Sequence, residues 1–258
     1  MTTYLDAILD HHRSVAASDR RSIDSLMSEA ASLPPARGFA AALRAEAGLA
    51  VIAEIKRRSP SKGDLFVGLD PGSVAKAYEE GGASCLSVLT DEPHFGGSVA
   101  DLQAARAACS LPVLRKDFTV SERDVLDARI MGADCVLLIA AALDEHELQS
   151  FHQLASGVGL DVLVEIHDEA ELEIAMQIDA TIVGINQRDL VTFEVDHERA
   201  VRMAAAIPAH VVRVAESGVR GRDDAQSLRS AGYDAILVGE SLVTSDDPAA
   251  AIARLRGR

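Results

Sequence analysis

From Val51 onward, short apolar runs rich in β-branched residues alternate with longer polar stretches in which apolar positions recur at helical spacing. The runs cover residues 51–56, 85–89, 112–116, 135–139, 161–166, 181–185, 210–215 and 235–238. Several are entered through a weak repeat, Gly82-Ala-Ser-Cys85, Gly132-Ala-Asp-Cys135 and Gly232-Tyr-Asp-Ala235, in which the glycine suits a left-handed helix end just before a strand. These glycines are 50 and 100 residues apart, which is two and four units of about 25. Eight strand–helix units with strands apolar on both faces predict a closed parallel (β/α)8 TIM barrel, an α/β fold.

The helices between the runs carry their own start signals. Asp70-Pro71 supplies an acidic cap and a proline at the first turn, Ser121-Glu-Arg-Asp124 reads as a capping box with Asp in the Glu place, and the last helix begins near Asp247-Pro248. Ahead of the first run, Leu5, Ile8, Leu9, His12 and Val15 fall on one helical face, and Ile23, Leu26, Met27 and Ala30 mark a second helix that Pro34-Pro35 ends. An apolar stripe must be buried on something. Residues 1–258 therefore read as a single barrel domain, with 1–46 as a lid-like helical extension packed on it.

Composition narrows the function. With 25 Lys and Arg against 40 Asp and Glu, the net charge is −15, which excludes a general nucleic-acid binder while leaving room for small anionic ligands where cations cluster. No apolar stretch approaches a membrane span of about 20 residues, and the start of the chain lacks a signal-peptide pattern. Cys85, Cys109 and Cys135 are far apart and odd in number, as expected for buried thiols in a reducing cytoplasm. The eight histidines show no HExxH or HxH spacing, so no metal site is expected.

Chemistry-bearing residues gather at one end of the runs. In a barrel of this kind the C-terminal strand ends and the following loops converge on one mouth. Glu54 and Lys56 share a phase on the first strand, Lys116 ends the third, and Glu165 and His167 face inward on the fifth if Val162, Val164 and Ile166 pack outward. Asn186 and Arg188 end the sixth, and Glu216 ends the seventh. Any one of these could be a rim charge; Glu54, Lys56, Lys116, Glu165, Asn186, Arg188 and Glu216 together at the same end of different strands point to an active site. Crowded cations would depress a lysine and burial would raise a glutamate, which suits acid and base work. Ser217-Gly218 and Gly239-Glu240 place small residues and backbone N–H groups where this fold often holds phosphate, and the loop carrying Ser59 could close over the same anion.

The ordered set Glu54-Ile-Lys-Arg-Arg-Ser-Pro-Ser-Lys-Gly63, Leu89-Thr-Asp-Glu-Pro-His-Phe-Gly-Gly-Ser98, Arg115-Lys-Asp-Phe118, Val164-Glu-Ile-His167, Gly184-Ile-Asn-Gln-Arg-Asp-Leu190, Ala215-Glu-Ser-Gly218 and Val238-Gly-Glu240 closely resembles the indole-3-glycerol-phosphate synthase family. The resemblance covers nearly the whole chain, including the helical extension. It implies a lyase of tryptophan biosynthesis that needs no cofactor or metal. Such an enzyme converts 1-(2-carboxyphenylamino)-1-deoxyribulose 5-phosphate to indole-3-glycerol phosphate, carbon dioxide and water. It further implies Lys116 as acid, Glu165 as base, and Lys56 as a lysine that binds the substrate anion and shares the acid role at dehydration in some accounts of the family. Glu54 and Asn186 are implied to orient the lysines and the substrate, with Glu216 as a further carboxylate. Arg188 is suited to the anthranilate carboxylate, Phe95 to an aromatic wall or a loop anchor, and Ser59, Ser217, Gly218, Gly239 and Glu240 to the phosphate.

Three positions depart from the family pattern. Glu240 stands where many relatives carry Ser, so its side chain should point away and leave the backbone to the phosphate. Asp179 replaces a usual Gly before the sixth strand, and the loop over residues 65–69 is unusually apolar, either closing over substrate or packing on the extension. Two alternatives stay open: a sugar-phosphate isomerase resembling phosphoribosylanthranilate isomerase, and a catalytically silent phosphate-ligand barrel. The expected partner is a small sugar phosphate, with no nucleic acid and no membrane. A monomer is expected, and the sequence does not speak to association with other tryptophan-pathway enzymes.

Overall fold

Parallel strands close on themselves in the order β1-β10-β9-β8-β7-β6-β5-β4, in a computed structural model that describes residues 4–59, 62–188 and 195–257. The barrel strands are β1 (Ala50–Ile55), β4 (Cys85–Leu89), β5 (Val113–Lys116), β6 (Cys135–Ile139), β7 (Asp161–Ile166), β8 (Ile182–Asn186), β9 (Val212–Glu216) and β10 (Ala235–Val238). A two-residue antiparallel hairpin, β2 (Arg58–Ser59) with β3 (Gly63–Asp64), sits in the loop after β1. All eight runs become barrel strands, with edges moved by two residues at most. Pro112 falls outside β5 because it has no N–H to give the ladder, and Lys56 lies one residue past β1.

The alternation of side chains sorts the strands into two cores. Outward residues such as Val51, Ala53 and Ile55 of β1 and Val162, Val164 and Ile166 of β7 pack against the surrounding helices. Inward residues such as Ala50, Ile52, Leu137, Leu163 and Leu237 form a second cluster. Its floor is an element the pattern did not announce, the short helix α3 (Phe39–Arg44), whose Phe39, Ala40 and Leu43 join the inner cluster beside the strand starts Cys85, Cys135, Ile182 and Val212. Burying Phe39 and Leu43 there contributes roughly 1.5–3 kcal/mol each. Six residues with a glycine cap and no side-chain capping bond leave little periodic signal to read.

Helices α1 (Tyr4–Ser18) and α2 (Ile23–Ser32) precede α3 and lie on the barrel. Leu26 and Ala30 of α2 pack on Leu126 of the helix after β5. Arg13 of α1 donates to both Glu147 carboxylate oxygens and to the Ala142 carbonyl, and Arg21 donates to Asp127. The apolar stripe is narrower than the spacing suggested: Ile8, Leu26 and Ala30 are buried, whereas Val15 and Met27 face solvent. Those two ride on the flank of their helices, outside the contact with the barrel.

The start signals act as read, with one difference. Asp70 caps α4 (Pro71–Glu80) and Asp247 caps the last helix. Ser121 accepts from the Asp124 N–H, but the Asp124 carboxylate takes the Val120 N–H and the Ser121 hydroxyl, not the cap's own N–H, because the Asp side chain is shorter than Glu. The repeat glycines Gly132 and Gly232 have φ of 100° and 98°, a left-handed turn into the strand. Asp179 adopts the same handedness at φ 57°, so the turn survives loss of its glycine. Among the described residues, no helix is long and apolar enough to cross a membrane.

Candidate active site

The strand ends surround a cavity of about 700 Å³, and all thirteen residues singled out from the sequence line it: Glu54, Lys56, Ser59, Phe95, Lys116, Glu165, Asn186, Arg188, Glu216, Ser217, Gly218, Gly239 and Glu240. Pro60 and Ser61 of the first loop, and Asp189 and Leu190 after β8, lie outside the described residues.

Two ion pairs occupy the floor. Lys116 Nζ lies 3.2 Å from Glu165 Oε2 and 3.8 Å from Glu216 Oε2, and Lys56 Nζ lies 2.6 Å from Glu54 Oε1. Asn186 Nδ2 donates to the other Glu165 oxygen at 3.0 Å, and its Oδ1 accepts from the Ser217 hydroxyl at 2.8 Å and the Arg188 N–H at 3.0 Å. Asn186 thereby links the carboxylate to the Ser217 turn. The backbone around Lys116 is clamped from behind. Arg115 donates to Thr90 Oγ1, the Asp124 carbonyl and Asp117, and the Thr90 hydroxyl also donates to Asp117.

The charges of this cluster differ from the sequence expectation. Lys116 was expected among cations that would depress it; its neighbours are carboxylates. Burial disfavours its charge, but Glu165, Glu216 and Glu54 outweigh that and hold the ammonium well above the usual lysine range. Glu165 was expected to be raised by burial. That effect is present, yet Lys116, His167 and the Asn186 and Lys116 hydrogen bonds override it and pull the carboxyl down to about 2. Glu216 is the raised carboxylic acid, pushed up by burial and by the adjacent Glu165 carboxylate. The two glutamates beside Lys116 are thus shifted in opposite directions, Glu165 down and Glu216 up.

The walls divide the cavity chemically. Phe95 and Phe118, with ring centroids 6.3 Å apart, form an aromatic side. Elsewhere on the rim, Ser217 (φ 67°) and Gly218 (φ 76°) make a left-handed pair after β9, and Gly239 and Glu240 follow β10. The Ser59 hydroxyl is buried without a hydrogen-bond partner among the described residues. The Glu240 carboxylate lies 3.8 Å from the Lys62 ammonium, and both residues line the cavity. Phe66 and Val67 of the apolar first loop are exposed, while Leu69 is buried.

The description of the family model that matches this chain, over residues 5–255, is indole-3-glycerol phosphate synthase. The chain belongs to that family. It is 51% identical over 253 residues to the indole-3-glycerol phosphate synthase of Streptomyces griseus, spanning 97% of this chain and 94% of the relative. It is 49% identical over 255 residues to that of Mycolicibacterium vanbaalenii, spanning 98% and 93%. Among solved structures it is similar to 3-hexulose-6-phosphate synthase from Salmonella typhimurium, with a TM-score of 0.65 and 14% identity over 81% of this chain and 97% of that one. Thiamine phosphate pyrophosphorylase from Pyrococcus furiosus gives a TM-score of 0.61 and 18% identity over 81% and 94%. Those two likenesses concern the barrel fold.

In this member of the indole-3-glycerol phosphate synthase family, two glycines do more than their sequence positions told. A Cβ on Gly184 would overlap Glu216 Oε1, and one on Gly239 would overlap Glu54 Oε1. Gly184 sits in the interior of a strand, where a glycine often marks a close approach, and that was the available signal. Tyr4, Leu5 and Ile8 of α1 also line the cavity, a contribution that only docking of the extension creates.

Proposed function

We propose that this chain closes the indole ring of 1-(2-carboxyphenylamino)-1-deoxyribulose 5-phosphate without a cofactor, releasing carbon dioxide, water and indole-3-glycerol phosphate. Membership of the family makes the chain a carbon–carbon lyase of the carboxy-lyase class. The observation that carries the assignment of roles is the hydrogen-bonded Lys116–Glu165 pair on the cavity floor, beside the Lys56–Glu54 pair.

Ring closure needs the aromatic carbon that bears the carboxylate to attack the ribulose carbonyl. Lys116, kept charged by three glutamates, donates a proton to the forming alkoxide and stabilises it electrostatically. Carbon dioxide then departs and leaves its electron pair in the ring. In the dehydration, the new hydroxyl leaves as water with a proton from a lysine, Lys56 or Lys116, while Glu165 removes the proton from the neighbouring carbon as the double bond forms. Glu216, 3.8 Å from Lys116 and with its carboxyl raised by burial and by Glu165, adds a further polar group beside the lysine.

Binding roles follow the walls. Phe95 faces the anthranilate ring and Arg188 its carboxylate, to which a guanidinium offers a forked pair of donors. Ser59, Ser217, Gly218, Gly239 and the Glu240 backbone hold the phosphate; the unpartnered Ser59 hydroxyl supports this. Every proton step has a residue of this chain, which supports chemistry free of a metal or cofactor. Three free cysteines support the cytoplasm as its compartment.

The isomerase alternative would need a Cys or Asp base at the mouth. Cys85 and Cys135 are buried at the strand starts beside α3, the opposite end of the barrel. The deciding experiment adds the carboxyphenylamino-deoxyribulose phosphate to purified protein in buffer containing EDTA and follows indole fluorescence, against a chain with 0 tryptophans. A rising signal is expected. No signal from folded protein that binds the substrate would favour the silent barrel.

A further inference from the structure

Outside the catalytic cluster, His12 of α1 meets Asp91 and His94 of the segment after β4. His12 Nε2 lies 2.9 Å and His94 Nδ1 3.0 Å from the same oxygen, Asp91 Oδ2, and all three donor atoms fall within 4.8 Å of one another. The carboxylate is fully buried, while the two imidazoles are 17% and 20% exposed, so an ion could enter from the histidine side. Its aim is fixed independently: Asp91 Oδ1 accepts the His94 N–H at 2.7 Å and the Phe95 N–H at 3.0 Å, capping the short helix Glu92–Phe95. His12 in turn packs on Phe118, with ring centroids 5.3 Å apart, and Asp117 Oδ1 lies 3.9 Å from His12 Nε2.

We propose that His12, Asp91 and His94 form a binding site for a divalent transition-metal ion of the zinc class, which fastens α1 to the β4 loop beside the cavity. Two imidazole nitrogens and a carboxylate oxygen are a donor set that suits zinc, cobalt and nickel, with a fourth position for water. Metal–ligand bonds of about 2.0–2.1 Å place tetrahedral ligand atoms about 3.3 Å apart. The His12–Asp91 and His94–Asp91 separations need only a few tenths of an ångström of expansion, with each ring carrying its proton on the nitrogen facing away. The arrangement joins residues 79 positions apart in sequence, one of them on the helix that contributes Tyr4, Leu5 and Ile8 to the cavity wall. An ion there replaces the His12–Asp91 hydrogen bond between the extension and the barrel, and the His94–Asp91 bond beside it, by coordinate bonds. None of the three residues has a role in the proposed reaction.

The test uses tag-free full-length protein and the metal ions alone. Zinc titration by calorimetry should give one ion per chain with micromolar affinity, and cobalt should give the intense visible band of four-coordinate Co(II). Zinc at about a hundredfold over its dissociation constant should raise the melting midpoint by several degrees. His12→Gln and His94→Gln keep an N–H for Asp91 but lose an imidazole ligand; each should abolish the cobalt band and the midpoint shift, whereas His146→Gln on the exposed face of another helix should preserve both. Absence of binding by the wild-type chain would overturn the site, as would unchanged binding in both histidine variants. Binding without a rise in midpoint would overturn the fastening of α1.

Discussion

The ammonium of Lys116 lies 3.2 Å from the carboxylate of Glu165, so the residues proposed as acid and base hold each other ionised in the free protein. Substrate entering between them would exchange that partnership for contacts with its own carbonyl and hydroxyl. Lys116→Ala should therefore lower turnover by about 10²–10⁴-fold while leaving substrate affinity largely intact. Single-turnover rates alongside a binding titration check this; near-normal turnover would remove Lys116 from the acid role.

Gly184→Ala should both destabilise the fold and impair turnover, because its Cβ would drive into the Glu216 carboxylate and press on Leu163. The expected cost is about 1–3 kcal/mol. If the clash is the cause, the same change in a Glu216→Ala background should cost clearly less, a coupling that urea denaturation of the four proteins measures.

Ser217→Asp should act on binding. It sets a negative charge beside the proposed phosphate contacts, in a residue with left-handed backbone that Asp tolerates better than most. The Michaelis constant should rise about tenfold or more, equivalent to about 1.4 kcal/mol, with a smaller change in turnover. Steady-state kinetics separates the two, and an unchanged Michaelis constant would place the phosphate elsewhere.

His167 should make stability depend on pH. Burial lowers its affinity for a proton, but the Glu171 hydrogen bond and the Glu165 and Glu171 carboxylates outweigh burial and the opposing Arg199, raising it above its ordinary value of about 6.5. A base raised in the folded state binds its proton more tightly there than in the unfolded chain. Its contribution is complete below about pH 6.5 and fades as pH rises through the folded value. Melting midpoints measured across that window should fall for the wild type, and His167→Gln should flatten that part of the curve.

How much of this could be read from residues alone differs between fold and site. The eight strands were legible because a parallel strand covered on both faces is a short, almost continuous apolar run, and Gly132 and Gly232 mark the turn into two of them. The catalytic candidates were legible because a polar residue at the end of such a run has one place to go. Helix α3 was not, since six residues without a side-chain cap carry little periodicity.

The chain by itself determined the barrel and the gathering of Glu54, Lys56, Lys116, Glu165, Asn186, Arg188 and Glu216 at one end of its strands, because these follow from local alternation and strand order; Phe95 came from the family resemblance. Tertiary structure decided what those residues are electrostatically. Lys116 lies among three carboxylates, so it is raised and not depressed, and of the two glutamates nearest it Glu165 is lowered while Glu216 is raised. It also decided that His12 faces Asp91 and His94. Coulombic effects depend on distances through space of a few ångströms, and spacing along the chain does not encode them until the barrel has closed.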